Sequence, residues 1–268
     1  MATYKARLLA PGHPLAGASV IVTRPAGAAA SLRRQVQALG GACVVVPGSS
    51  LRGAADPALG RAQLRAARSA DIAIFTSPAA VRFAWALHPQ LRFARATPVL
   101  APGAGSARAL HKRGVVQASF PLQRQDSEGL LDLPILQRVR RRRIMLIGAA
   151  GGREMLAPAL AARGARVERV DVYRRAPPLL TRRHWSALEQ AAAPRISLFS
   201  SAEALTHLHA LLPPGLFARL AADDCVTSSA RIAAAARALG FVQLHVAAGP
   251  APAQLLAAAS AALARHRL

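Results

Sequence analysis

The chain has 268 residues, 53% of them apolar, and a formal charge of +23. That length suits one large or two modest domains, and no run approaches the roughly 18–20 consecutive apolar residues of a membrane-spanning helix. The charge would fit nucleic acid, an anionic membrane surface or a polyanionic small molecule, but nearly all of it is arginine in an alanine-rich chain, as a compositional bias would produce, with Lys5 and Lys112 the only lysines.

In chain order, MATYKARLLAPGHPLAG lacks the apolar run and cleavage site of a secretory signal, so a cytoplasmic location is expected. The apolar VIVT ends in the turn Thr23-Arg24-Pro25. Leu32, Val36 and Leu39 then stand at helical spacing before Gly40, which reads as a helix C-cap ahead of the strand ACVVVP. The stretch 42–52, ACVVVPGSSLR, is extended and breaks at Pro and Gly, the pattern of a connection. Next comes IAIF, the turn Thr76-Ser77-Pro78 and a helix; then the turn Gly103-Ala104-Gly105-Ser106 and a helix closed by Gly114, with VVQASF after it. In DSEGLL, Asp126 and Glu128 read as an acidic pair or, more simply, as the N-terminal cap of a helix. The run Arg140 to Arg143 reads as a solvated turn before IMLIG, with no aromatic or basic elements around it that would make a nucleic-acid arm. The turn from Gly148 to Arg153 leads to a helix closed by Gly164 and to a second extended connection, 166–177, which carries Tyr173. There a phenol could face a cleft and donate a proton, or could simply pack. ISLF with Ser200-Ser201, the turn Thr227-Ser228-Ser229, a helix before Gly240 and FVQLHVA complete the series.

The apolar strands lack period-2 alternation, as parallel strands covered on both faces do. The segment from Ile72 aligns without a gap on that from Ile196, 124 residues on, and Gly41 aligns on Gly164 at nearly the same offset. That period is too long for a solenoid and implies duplication of a whole domain. The expected fold is therefore α/β, two open parallel-sheet α/β domains joined by a two-stranded hinge, with a ligand near the C-terminal ends of the strands.

All six strand-to-helix turns are rich in hydroxyls or glycine, and free N–H groups at helix N-termini favour carboxylates or phosphates. Plain N-capping explains any one of them equally well. The GAGSAR segment has Arg108 where a dinucleotide fingerprint needs its third glycine, and there is no phosphate loop and no nucleophile elbow. His207 and His209, two apart on a helix, do not make a zinc pair, and Cys43 and Cys225 read as inert core thiols. No cofactor and no metal are expected.

Taken in order, VTRP, IFTSPAAV, GAGSARAL, DSEGLL, GGREML with ARGARVERVDVYRR, LFSSAEAL and SSARIAAAARALGF resemble the uroporphyrinogen-III synthase family in its bacterial form, over nearly the whole chain. The resemblance implies one domain of residues 17–41 plus 178–268 and a second of 53–165, with 42–52 and 166–177 as hinge connections. It implies a lyase that cyclises hydroxymethylbilane, a linear octacarboxylate tetrapyrrole, losing water and inverting ring D. Tyr173 matches the family's recurrent tyrosine and would be the catalytic acid. The residues implied for substrate binding are Thr23, Arg24, Thr76, Ser77, Gly103, Ser106, Arg153, Ser200, Ser201 and Ser229. Two departures stand out: Gly148-Ala149 occupies the place of the usual Arg-Gly, and Ser106 that of a threonine. A monomer is expected, in transient contact with the preceding pathway enzyme, and neither nucleic acid nor membrane is an expected partner. A hinged binding protein for a small anion is the rival reading; a nucleic-acid binder rests on charge alone.

Overall fold

The structure is a computed structural model that describes residues 13–151 and 155–265. The chain divides into two compact units: unit 1 is drawn from residues up to 50 and from 176 onward, unit 2 from residues 51–175. Unit 1 opens with β1 (Ser19–Val22), α1 (Ala26–Ala38) and β2 (Ala42–Val45). Then follow β3 (Ser50–Gly53), α2 (Pro57–Ala67), β4 (Ile72–Phe75), α3 (Pro78–Leu87), β5 (Val99–Leu100), α4 (Ala104–His111), β6 (Ala118–Ser119), α5 (Ser127–Leu131), α6 (Pro134–Gln137), β7 (Arg143–Ala149), α7 (Leu156–Ala162) and β8 (Arg166–Ala176). The chain ends with α8 (Arg182–Glu189), β9 (Arg195–Phe199), α9 (Ala202–Leu211), α10 (Pro214–Ala222), β10 (Asp224–Thr227), α11 (Ala230–Ala238), β11 (Leu244–Val246) and α12 (Pro252–Arg265).

Unit 1 holds a parallel sheet in the order β11-β10-β9-β1-β2. Successive side chains of a strand point to opposite faces, and here both faces are apolar because both are covered. Val20, Val22, Ile196 and Leu198 pack under α1 and α12 against Leu32, Val36, Leu255 and Leu263. Ile21, Phe199 and Cys225 face the other way, onto Leu205, Leu208, Leu220, Ile232 and Phe241. Each such buried Leu, Ile or Phe contributes about 1.5–3 kcal/mol through the area it removes from water.

Unit 2 repeats the plan in the order β3-β8-β7-β4-β5-β6. Ala73, Phe75, Met145 and Ile147 form one core, and Ile72, Ile74, Ile144 and Leu146 form the other. The duplication seen in the sequence holds down to the register. Ser19 is level with Ala42 and Arg195 in unit 1; 124 residues on, Arg143 is level with Arg166. Ile144 is likewise level with Ile72, as Val20 is with Ile196. Strand pairs β1–β2 and β7–β8 are thus equivalent, yet each sits in the sheet completed by the other repeat.

The two stretches read as connections are, for most of their length, sheet strands. Pro47-Gly48 splits 42–52 into β2, which joins the unit 1 sheet, and β3, which joins that of unit 2. Residues 166–176 are β8, paired along β7. The boundaries between the units fall at 50/51 and 175/176, within these two stretches. The stretch VVQASF contributes only the two-residue edge strand β6, and its Val116 is 77% exposed.

The expected helix-ending glycines, Gly40, Gly114, Gly164 and Gly240, all have φ between 81 and 91°, a conformation that costs other residues about 1–2 kcal/mol. Gly240 isolates this effect, since an added Cβ there meets nothing within 4 Å, and the same is true of Gly215 in α10, whose φ is not positive. Gly240→Ala is expected to lower stability by about 1–2 kcal/mol, and Gly215→Ala to raise it by about 0.4–1 kcal/mol. Urea denaturation of the two variants checks both signs.

Candidate active site

In a parallel sheet every strand C-terminus lies on one edge, so the turns that follow are gathered without further instruction. In unit 1, Val22 is level with Val45 and Leu198, Leu198 with Val226, and Thr227 with Val246. Thr23-Arg24, Ser200-Ser201, Ser228-Ser229 and the Ala247–Pro250 turn therefore leave the sheet side by side. In unit 2, Phe75 is level with Ile147, Leu100 with Ile74 and Ser119, and Ala149 with Tyr173. That brings Thr76-Ser77, the turn into α4, the turn after β7 and Tyr173 to one edge.

The hydroxyls at these edges have different employments. Thr23 is 3% exposed and donates inward to the Leu198 carbonyl at 2.7 Å, which engages its hydroxyl in the sheet. The half-buried Arg24 donates through Nη2 to the Pro250 carbonyl, tying the turn after β1 to that after β11; its Nε is buried without a partner among the described residues. Burial holds this guanidinium below its usual pKa. Ser229 caps α11 by accepting from the Ile232 amide at 3.4 Å, whereas Ser201 stands at the N-cap of α9 without a side-chain capping bond. Ser200 and Ser201 are both half-buried.

In unit 2, Thr76 Oγ1 donates to the Ile147 carbonyl at 3.4 Å. Gly148, where relatives were expected to carry an arginine-glycine pair, lies so close that an added Cβ would stand 2.4 Å from Thr76 Oγ1. Gly103 is the N-cap of α4, and Ser106 is buried in that helix's first turn. Asp126 caps α5 by accepting from the Gly129 amide at 2.8 Å, and that bond, ahead of Arg124, keeps its carboxyl below the usual range. Arg153 lies outside the described residues.

Tyr173 is held on three sides. A register shift between Gly148 and Ala149 sets Ala149 level with Tyr173 rather than Val172; such bulges re-aim side chains next to functional sites. The ring stacks on Phe83 at 5.2 Å and 14°, with Arg82 above the far phenyl, 4.9 Å from its centroid. Its hydroxyl lies 3.1 Å from Ser77 Oγ, which in turn accepts from the Ala80 amide at 3.0 Å.

Sequence reasoning passed over Phe83 and Gln125, whose Oε1 accepts from the Ala104 amide at 3.0 Å and so caps α4. The one available signal for Gln125 is its place directly before DSEGLL. Among the described residues no group of three or more His, Cys, Asp or Glu could hold a metal, and no helix is long and apolar enough to cross a membrane. His207 Nδ1 is bonded to the Gly48 carbonyl and His209 lies edge-on to Phe217, so the two diverge. Burial pushes the Cys225 thiol up to about 12; Cys43 is half-buried rather than in the core, and its partial burial raises that thiol too, which disfavours the thiolate in both.

Fold and edges together define a duplicated, doubly wound α/β protein, a class that places its ligands at strand C-termini. Residues 30–257 match the family described as Uroporphyrinogen-III synthase HemD. The chain belongs to the uroporphyrinogen-III synthase family, which serves tetrapyrrole biosynthesis. It is 32% identical over 248 residues to uroporphyrinogen-III synthase of Escherichia coli (strain K12), covering 85% of this chain and 94% of that one. To the protein of that name from Salmonella typhimurium it is 32% identical over 246 residues, with the same coverage. The fold is shared with uroporphyrinogen-III synthetase of Helicobacter pylori 26695 (TM-score 0.56, 14% identity, 91% of this chain and 98% of that one). A mutant uroporphyrinogen III synthase from the extremely thermophilic bacterium Thermus thermophilus shares it too (TM-score 0.54, 22% identity, 92% and 99%).

Because the Thr23 hydroxyl is turned into the sheet, Thr23→Val should cost about 1 kcal/mol of stability, the net worth of one buried hydrogen bond, and change KM less than twofold. A denaturation curve beside a Michaelis curve separates the two effects.

Proposed function

We propose that this chain closes hydroxymethylbilane into uroporphyrinogen III as a cofactor-free hydro-lyase. The terminal hydroxyl leaves as water, taking its proton from Tyr173, and an electrophilic azafulvene remains. The substituted carbon of ring D attacks it, and the resulting spiro intermediate opens and recloses with that ring inverted. The proton released on closure returns to the phenolate, so the enzyme is unchanged and one water is lost. The substrate alone closes without inversion, and the protein's main contribution is a folded geometry, catalysis by positioning. A well-placed acid adds roughly 10²–10⁴-fold.

The observation that carries this reading, beyond family membership, is Tyr173: a phenol with fixed ring plane and fixed oxygen at the strand C-terminal edge of unit 2. Proposed carboxylate ligands are Arg24, Ser200, Ser201 and Ser229 in unit 1 and Thr76, Gly103, Ser106 and Arg153 in unit 2, through side chains or the adjoining helix N-terminal amides. We propose further that the protein acts as a cytoplasmic monomer and takes its substrate in transient contact with the enzyme that makes it.

Tyr173→Phe should lower kcat by a factor of about 10² or less, the lower range for a general acid, with KM little changed and the product still the inverted isomer. Isomer analysis corrected for spontaneous closure is the measurement; unchanged turnover would make Tyr173 structural, and an uninverted enzymic product would make it the controller of geometry. Exhaustive chelation and dialysis should leave activity whole, and activity recovered only with one particular metal would refute the cofactor-free reading.

A further inference from the structure

Ser77 was expected to bind substrate, but its hydroxyl is already engaged on two sides, by the Ala80 amide at 3.0 Å and the Tyr173 phenol at 3.1 Å. A serine hydroxyl has one hydrogen and two lone pairs. One lone pair takes the Ala80 N–H, so the bond to Tyr173 has two forms. Either the phenol donates to serine and serine's hydrogen points away, or serine donates to the phenol and the phenol's hydrogen points away. The second form makes an unbroken series, N–H to Oγ–H to Oη–H, running outward from the N-terminus of the ten-residue helix α3. Its dipoles are aligned head to tail with that of the helix, and each polarises the next. The first form turns the more acidic proton of the pair back into the protein.

We infer that Ser77 is a positioning residue for Tyr173: by donating to the phenol oxygen it directs the phenol proton away from the protein, toward the substrate's leaving hydroxyl. This rests on the proposed role of Tyr173 as acid. Two constraints divide the work. Phe83, stacked at 14°, fixes the plane of the ring, and Ser77 fixes which way the hydrogen on its oxygen points. The duplication offers an internal comparison. Ser201 stands 124 residues after Ser77, and residue 49, that far before Tyr173, is a serine. In unit 1 the equivalent position has no phenol, and Ser201 makes no side-chain capping bond. The hydroxyl series is therefore a property of unit 2, where the residue it would serve is found.

The test is a double-mutant cycle read in kcat and KM separately. Ser77→Ala should lower kcat by roughly three- to tenfold, the range of one net hydrogen bond, with KM within twofold of the parent, and Ser77→Thr should restore most of the loss. Ser77→Gly also removes the hydroxyl but is tolerated at an N-cap at a cost of a few tenths of a kcal/mol, so it should repeat the kcat loss even if the alanine variant folds poorly. Once Tyr173→Phe is in place, adding Ser77→Ala should have no further effect on kcat. A raised KM at unchanged kcat would make Ser77 a substrate ligand and overturn the inference, as would a Ser77→Ala loss undiminished by Tyr173→Phe. Unchanged turnover in Tyr173→Phe alone would instead remove the reading on which it rests.

Discussion

The pairing of β1 with β9 is the interaction on which the rest of unit 1 depends. It places Ser19 level with Arg195, two thirds of the chain away, in the middle of a five-stranded sheet. The β7–β4 pair does the same for unit 2 at an equivalent register. With these two pairs made, parallel direction puts every hydroxyl-bearing turn of a unit on one edge, and both faces of each sheet must then be covered by helices. Clustering of polar turns is thus a geometric result of where the apolar strands sit.

Charge is distributed in keeping with this. Several of the few carboxylates serve structure. Asp223 and Arg195 form a two-pronged, nearly buried ion pair at 2.6 and 2.7 Å. The amide of Arg143 holds the Asp71 carboxyl below its ordinary range, and the Arg143 guanidinium does the same for Glu168. Acids engaged in this way do little to neutralise the remaining arginines, so the molecule presents a positive surface that suits the polycarboxylate proposed as its substrate.

Local signals in the sequence were reliable where the physics is local. The glycines that end α1, α4, α7 and α11, the aspartate that opens α5 and the unalternating strands all rest on residues within a turn of one another, and all are found in place. The repeat revealed two copies, because like sheets need like apolar spacing. What could not be read was partnership at a distance. The extended stretches 42–52 and 166–177 carry no sign in the sequence that β2 lies beside β1, β8 beside β7, and β3 beside β8 in the fold. Tyr173 could be singled out as a phenol in an unusual place, yet its hydrogen-bond partner, 96 residues away, looked like any other N-cap serine. Phe83 looked like one more core aromatic of α3. For the same reason nothing in the sequence distinguished the Thr23 hydroxyl, which donates into the sheet, from that of Ser229, which caps a helix.

The exchange of strands between repeats also bears on how the chain is made. Unit 2 is continuous and can close once residue 175 has emerged from the ribosome, whereas β1 has no β9 beside it until residues 195–199 appear. At synthesis rates of about 5–20 residues per second, that interval is roughly 10–35 s. Throughout it Val20, Ile21 and Val22, all fully buried in the finished fold, stand outside the ribosome with their ladder bonds to β9 unmade. A nascent chain in that state offers the β9 side of a short, uncharged, β-prone segment to any other unpaired strand, so β1 is a segment that gains from protection during translation.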